Sequence, residues 1–125
     1  MSPLQLKISD GRAAFSPGER ISGSAAWQLD APPEKAELNL VWNTRGKGTQ
    51  DIQIVTTIPF ANPRASDTRP FTIQLPTAPY TFSGQLISLI WTLELSVNPG
   101  DHCEPLEITI APGGKEVLLP RIKPA

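Results

Sequence analysis

Gln85-Leu-Ile-Ser-Leu-Ile-Trp-Thr-Leu-Glu-Leu-Ser-Val-Asn98 decides the fold. Ile87, Leu89, Trp91, Leu93, Leu95 and Val97 fall on one parity, and Leu86, Ser88, Ile90, Thr92, Glu94 and Ser96 on the other. Side chains at i and i+2 of a strand share a face, so this alternation predicts one face in a core and the other largely in water. Fourteen residues, thirteen steps of about 3.3 Å, span roughly 43 Å, about twice a typical strand. A strand of that length needs twist or a bulge, and neighbours on both edges. Its first half differs from its second, because Leu86 and Ile90 flank Ser88 and make it apolar on both faces. Two readings of that second apolar face stay open. It is covered by a loop, such as the Pro79–Phe82 segment, or it is a patch for a partner or a second copy.

Similar alternation recurs on both sides of this stretch. Leu4, Leu6 and Ile8 predict a first strand, and Asp10-Gly11 a tight turn. Ala13 to Phe15 suggests a brief return. In Ser16-Pro-Gly-Glu19, Pro17 presets φ and Gly18 accepts a positive φ, as a type II turn requires. Ile21, Gly23, Ala25, Trp27 and Leu29 form the next strand, with small residues where another backbone or a large ring approaches closely. Ala36, Leu38, Leu40 and Trp42, a turn at Arg45–Gly48, and then Ile52, Ile54, Ile58 and Phe60 read as a long hairpin with these residues inward. Pro59 marks its end or an edge, and 61–69 is the least structured stretch. Phe71, Ile73 and Leu75 precede the long strand; Leu106, Ile108 and Ile110, then Val117 to Leu119, follow it.

Fourteen prolines and nine glycines among 125 residues exceed the average share of about 12%. They fall between the apolar runs, as turn punctuation does. The expected fold is all-β: one domain over 1–125, an immunoglobulin-like antiparallel β-sandwich of two sheets with about 7–9 strands. A hydrophobic content of 39% suffices for a core. The net charge of −1 provides no field to attract nucleic acid. A lone cysteine, no basic–apolar leader and no long apolar run together predict a cytoplasmic protein.

Catalytic chemistry finds little support. Asp101-His102-Cys103-Glu104 places metal-capable side chains together, but adjacent strand residues point to opposite faces and no second ligand pair exists. His102 and Cys103 lack an orienting third group. Ser83-Gly84 lacks the context of a nucleophile elbow. No catalytic residue, metal ligand or cofactor is expected. Trp27, Trp42 and Trp91 all lie on apolar parities and are expected between the sheets. Arg45-Gly-Lys-Gly-Thr49 fails the phosphate-loop spacing, though Arg45 and Lys47 could meet an acidic group. Tyr80 and Phe82 are the aromatics best placed to line a ligand groove, and Leu86 and Ile90 to form a protein-binding patch.

Three stretches carry a family resemblance. They are Phe15-Ser-Pro-Gly-Glu-Arg-Ile-Ser-Gly23, Ala36-Glu-Leu-Asn-Leu-Val-Trp42 with its Gly-containing turn, and Phe71-Thr-Ile-Gln-Leu-Pro76 with Pro79-Tyr-Thr-Phe-Ser-Gly84. In order and spacing they resemble the arrestin-like superfamily, its N-terminal type of domain in particular. Trp42-Asn-Thr-Arg-Gly-Lys-Gly48 is similar to compact bacterial single-domain members. Arrestins and retromer-type relatives carry two such domains, whereas this length suits one. The buried charged latch of arrestins has no match here. The resemblance implies a non-enzymatic module that scaffolds or sorts proteins, often near membranes. Its expected partner is a protein; a peripheral membrane complex and a homodimer stay open. The alternative is a sandwich that binds a small ligand or carbohydrate.

Overall fold

A computed structural model describes residues 3–46, 51–83, 87–100, 102–112 and 117–118. Among these residues ten strands follow one another: β1 (Leu4–Ile8), β2 (Ala14–Phe15), β3 (Arg20–Gln28), β4 (Lys35–Gly46), β5 (Ile52–Pro59), β6 (Ser66–Gln74), β7 (Phe82–Ser83), β8 (Ile87–Asn98), β9 (His102–Ile110) and β10 (Val117–Leu118). β2, β7 and β10 are two-residue pieces. The smaller sheet is antiparallel, in the order β1-β3-β6; the other seven strands form the larger one.

The long strand is β8, and it has neighbours on both edges. Along one edge it pairs antiparallel with all of β4, from Ile87 opposite Gly46 to Asn98 opposite Lys35. The other edge is divided between β7, at Ser88 and Leu89, and β9, from Trp91 to Val97. β5 lies beyond β4, and β2 and β10 join in parallel beyond β9 and β7. Ala14–Phe15 thus returns onto β9 rather than onto β1.

Leu89, Trp91, Leu93, Leu95 and Val97 are all buried in one core with Ala36, Leu38 and Leu40 of β4 and Ile108 and Ile110 of β9. From the smaller sheet come Leu4, Ile21, Ala25, Trp27, Phe71 and Ile73. Each such aliphatic or aromatic side chain contributes about 1.5–3 kcal/mol by leaving water. The buried indoles keep their hydrogen bonds. Trp27 Nε1 donates to the Arg64 carbonyl at 2.6 Å and Trp91 Nε1 to the Pro79 carbonyl at 2.9 Å. Trp42, opposite Trp91, is only half-buried. Gly18 has φ 78°, and the Glu19 N–H donates to the Ser16 carbonyl at 3.1 Å, as the expected turn demands.

Three expectations need correction. Arg45 and Gly46 do not turn but continue β4, and 47–50 lie outside the described residues. Ser66 to Arg69 are ordered in β6, where Arg69 bonds Asp67 and the Asn62 carbonyl. The largest change is at β5. Leu40 pairs with Thr56 but Val41 with Ile54, so Val55 is an extra residue, a β-bulge. One inserted residue reverses every later side chain. Ile58 remains on the core face opposite Leu38, whereas Ile54 and Ile52 turn to the outer face, opposite Val41 and Asn43.

Candidate functional site

The bulge produces an unusual edge. Ile52 is 70% exposed, Ile54 55% and Val55 42%, all on a strand that, among the described residues, is bonded to a neighbour on one side only. Backbone bonds fix which groups are free. The Phe60 N–H donates to the Ala36 carbonyl and the Thr44 N–H to the Asp51 carbonyl, both at 2.9 Å. Alternate residues of an antiparallel ladder turn their N–H and C=O to opposite sides. Counting inward from each end, the backbones of Ile58, Thr56 and Gln53 face β4, while those of Thr57, Ile54 and Ile52 face away.

β5 and β6, an outer strand of each sheet, treat their edges differently. Across Ser66–Gln74, β6 carries Asp67, Arg69 and Pro70, the charges and imide that keep an edge from pairing. β5, Ile-Gln-Ile-Val-Thr-Thr-Ile-Pro, has no charge, and its one proline is terminal.

The edge continues onto the outer face of the larger sheet. Cross-strand partners share a face, so Ile54, Val41 and Thr92 form one row and Ile52, Asn43 and Ile90 the next. Val41 is only 7% exposed although it points outward, while Ile90 is half-buried. Beyond them Arg45 is exposed on the same face, opposite Ser88. Further along, Thr57 Oγ1 donates to Asn39 Oδ1 at 2.7 Å and seals the other end of the patch.

The structure thus gathers two of the residues singled out from sequence, Ile90 and Arg45, beside β5. It separates the aromatics. Tyr80 is 40% exposed, but Phe82 lies opposite Leu89 and packs against the core, so the two rings do not enclose a groove. Leu86 and Lys47 lie outside the described residues. Ile52, Ile54 and Val55 were missed as surface residues because period-2 reading assumes an unbroken strand. The signal was present in the doublets Ile54-Val55 and Thr56-Thr57, which interrupt the alternation as a bulge does.

Among the described residues no reactive constellation assembles. A hollow of about 240 Å³ lies among Gln5, Ala26, Gln28, Ser66, Asp67 and Thr68, and one of about 360 Å³ among Asp30, Pro32, Pro33, Pro99 and His102. Neither includes Tyr80 or Phe82. Among the described residues no three His, Cys, Asp or Glu side chains cluster as a metal site would require. His102 lies opposite the inward Val97, and Cys103 opposite the outward Ser96. Arg12 binds both Asp10 and Glu19 and covers the Phe15 ring at 4.9 Å. The Arg12 backbone N–H, and after it the guanidinium, hold the Asp10 carboxyl below its usual range, and the guanidinium does the same to Glu19, an arrangement that pins the turns around β2.

Cys103 is exposed, yet partial desolvation of its sulfur and the nearby Glu94 and Glu104 push the thiol up to about 11 from 9.0. Two pH units reduce the thiolate fraction about a hundredfold, and the greater basicity returns roughly tenfold in nucleophilicity. Iodoacetamide should therefore alkylate Cys103 at pH 8 about tenfold more slowly than an unperturbed thiol. Glu94→Gln should recover part of that rate. Labelling at the rate of a model peptide would contradict this picture.

No family model matches the chain, and no curated protein matches it. Among solved structures it is similar to Spo0M, the sporulation control protein of Bacillus subtilis. The TM-score is 0.61 at 17% identity, over 86% of this chain and 48% of that one. The chain therefore spans about half the length of Spo0M, and the shared architecture is an arrestin-like fold. A Pseudomonas fluorescens alkylpurine DNA glycosylase, AlkC, aligns at TM-score 0.39 and 15% identity over 88% of this chain and 31% of that one, too loosely to bear on fold or function. No helix among the described residues is long and apolar enough to cross a membrane.

Proposed function

We propose that this domain is a non-enzymatic protein-interaction module of arrestin-like type, acting in the cytoplasm and related to the N-terminal class of such domains in a compact bacterial form. The observation that carries the reading is the exposed, uncharged and half-paired strand β5, with Ile52, Ile54 and Val55 continuous with Val41 and Ile90 on the outer face. Proteins ordinarily blunt such edges, and an edge left open suits recognition by main-chain hydrogen bonds with side-chain contacts for selectivity. Apolar contacts at Ile54 and Ile90 supply affinity, and Arg45 at the border favours an acidic group on the partner. Among the described residues no exposed pair of rings supports the small-ligand alternative.

The test uses the tagged protein and its Ile54→Lys variant in native cell extract. Captured proteins are identified by mass spectrometry, and the strongest is purified for titration. Because Ile54 is exposed, the lysine should change stability by no more than about 0.5 kcal/mol. It should weaken binding by tenfold or more, since a buried lysine end is costly at an apolar contact. Equal affinity of the two forms for every captured protein would exclude β5 as the recognition surface.

A further inference from the structure

We infer that the free edge of β5 pairs antiparallel with β5 of a second copy of this chain, joining two seven-stranded sheets about a two-fold axis. The inference rests on the reading of β5 as an interaction strand and names what occupies its edge.

The register follows from the backbone. Ile52, Ile54 and Thr57 turn their peptide groups away from β4, and all three side chains lie on the outer face, opposite Asn43, Val41 and Asn39. In an antiparallel pair, opposed residues must match in both hydrogen-bonding direction and face. The two-fold register that satisfies both along the whole of β5 sets Ile54 opposite Thr57 of the other copy and Ile52 opposite its Pro59, with the bulge at Val55 and Thr56 on the axis. Pro59, lacking an N–H, ends the new ladder.

Charge favours a second copy over an unrelated charged peptide. Near a two-fold axis a strand meets its own charges, and like charges directly opposed repel. β5 has none from Ile52 to Pro59. Along its own length it offers no charge by which to select a charged strand, because Arg45 lies on β4 beyond the last β4–β5 pair, Asn43 with Ile52. The partner it suits is a neutral strand of β-branched residues, and Ile-Gln-Ile-Val-Thr-Thr-Ile is one. A net charge of only −1 adds little long-range repulsion between copies. The pairing also closes, because a two-fold contact uses the same β5 edge of both copies and leaves neither β5 open for a third. A dimer results rather than a filament.

Sedimentation equilibrium from micromolar to submillimolar concentration tests this on the purified full chain. Wild type should be a dimer at the upper end. Thr57→Val, which keeps the N–H but loses the hydroxyl bond to Asn39, serves as the control. Thr57→Pro removes one outward N–H per copy as well and leaves the backbone bonds to β4 intact. It should weaken self-association by about tenfold or more, two symmetry-related bonds being lost, with folding checked by circular dichroism. In a Cys103→Ser background, Ile54→Cys with Thr57→Cys should give disulfide-linked dimers on oxidation, and neither cysteine alone should do so efficiently. Wild type that stays monomeric throughout, or cross-linking as efficient with one cysteine as with two, would overturn the proposal. A monomer that still binds a captured protein through Ile54 would overturn only the second copy. A dimer whose Ile54→Lys form keeps every captured partner would overturn only the interaction reading.

Discussion

Gly23→Ala is expected to destabilise the domain by about 3 kcal/mol. For a chain of this size that lowers the thermal midpoint by roughly 10–20 °C. Gly23 lies mid-strand in β3, opposite Ile8 of β1 and Phe71 of β6. A methyl carbon there would stand 2.2 Å from the Lys7 carbonyl oxygen and 2.6 Å from Phe71 Cζ. The ring could rotate or shift. The carbonyl cannot, because it belongs to the β1–β3 ladder, and moving it separates the two strands. Glycine is required here for space rather than for its backbone freedom. Phe71→Leu in the alanine background should therefore fail to restore stability, although it opens the ring side of the contact. Paired urea titrations decide this: a Gly23→Ala midpoint within error of wild type would contradict the geometry, and rescue by Phe71→Leu would show that the ring was the obstacle.

The smallness of Gly23 and Ala25 was legible in sequence as room for a backbone or a ring, and the structure supplies both at Gly23. β8 was equally legible, because alternation with one dry face is an unambiguous instruction when no bulge intervenes. Its parity runs unbroken from Leu89 to Val97, and each residue on it is buried. β5 obeys the same physics but carries one extra residue. The bulge preserved Ile58 as an inward residue and turned Ile52 and Ile54 outward, so the pattern that predicted a core strand concealed a surface. The candidate site was thus only partly readable. Ile90 was visible because it breaks the polar parity of β8. Ile54 was hidden because its neighbours appeared to confirm the wrong face. Phe82 was misleading in the opposite sense: an aromatic in a Pro-rich lead-in looks like a loop residue until its pairing with Leu89 places it against the core. A one-residue register shift costs little locally and alters everything on the far side, which is why single-chain pattern reading loses edges before it loses cores.

Trp91 is where the second large effect is expected. It is fully buried at the centre of β8, opposite Trp42 on one side and Ile108 on the other. Trp91→Ala should cost about 3–5 kcal/mol, from lost burial and from a cavity that the β4 and β9 ladders on either side prevent from collapsing. Trp91→Phe separates two roles of the side chain. It keeps most of the apolar volume but removes the N–H that the Pro79 carbonyl accepts at 2.9 Å, for about 1–2 kcal/mol. That bond ties the segment before β7 to β8. Two further bonds hold the same segment to β9: the Thr81 N–H donates to the Ile110 carbonyl at 2.7 Å, and the Ile110 N–H donates to Thr81 Oγ1 at 2.9 Å. If the indole is the anchor, Trp91→Phe should speed amide exchange at Thr81 far more than at Leu40, whose strand lies on the other side of β8. If Thr81 and Leu40 lose protection equally, the phenylalanine has only lowered global stability, and the lead-in is held by Thr81 and Ile110 alone.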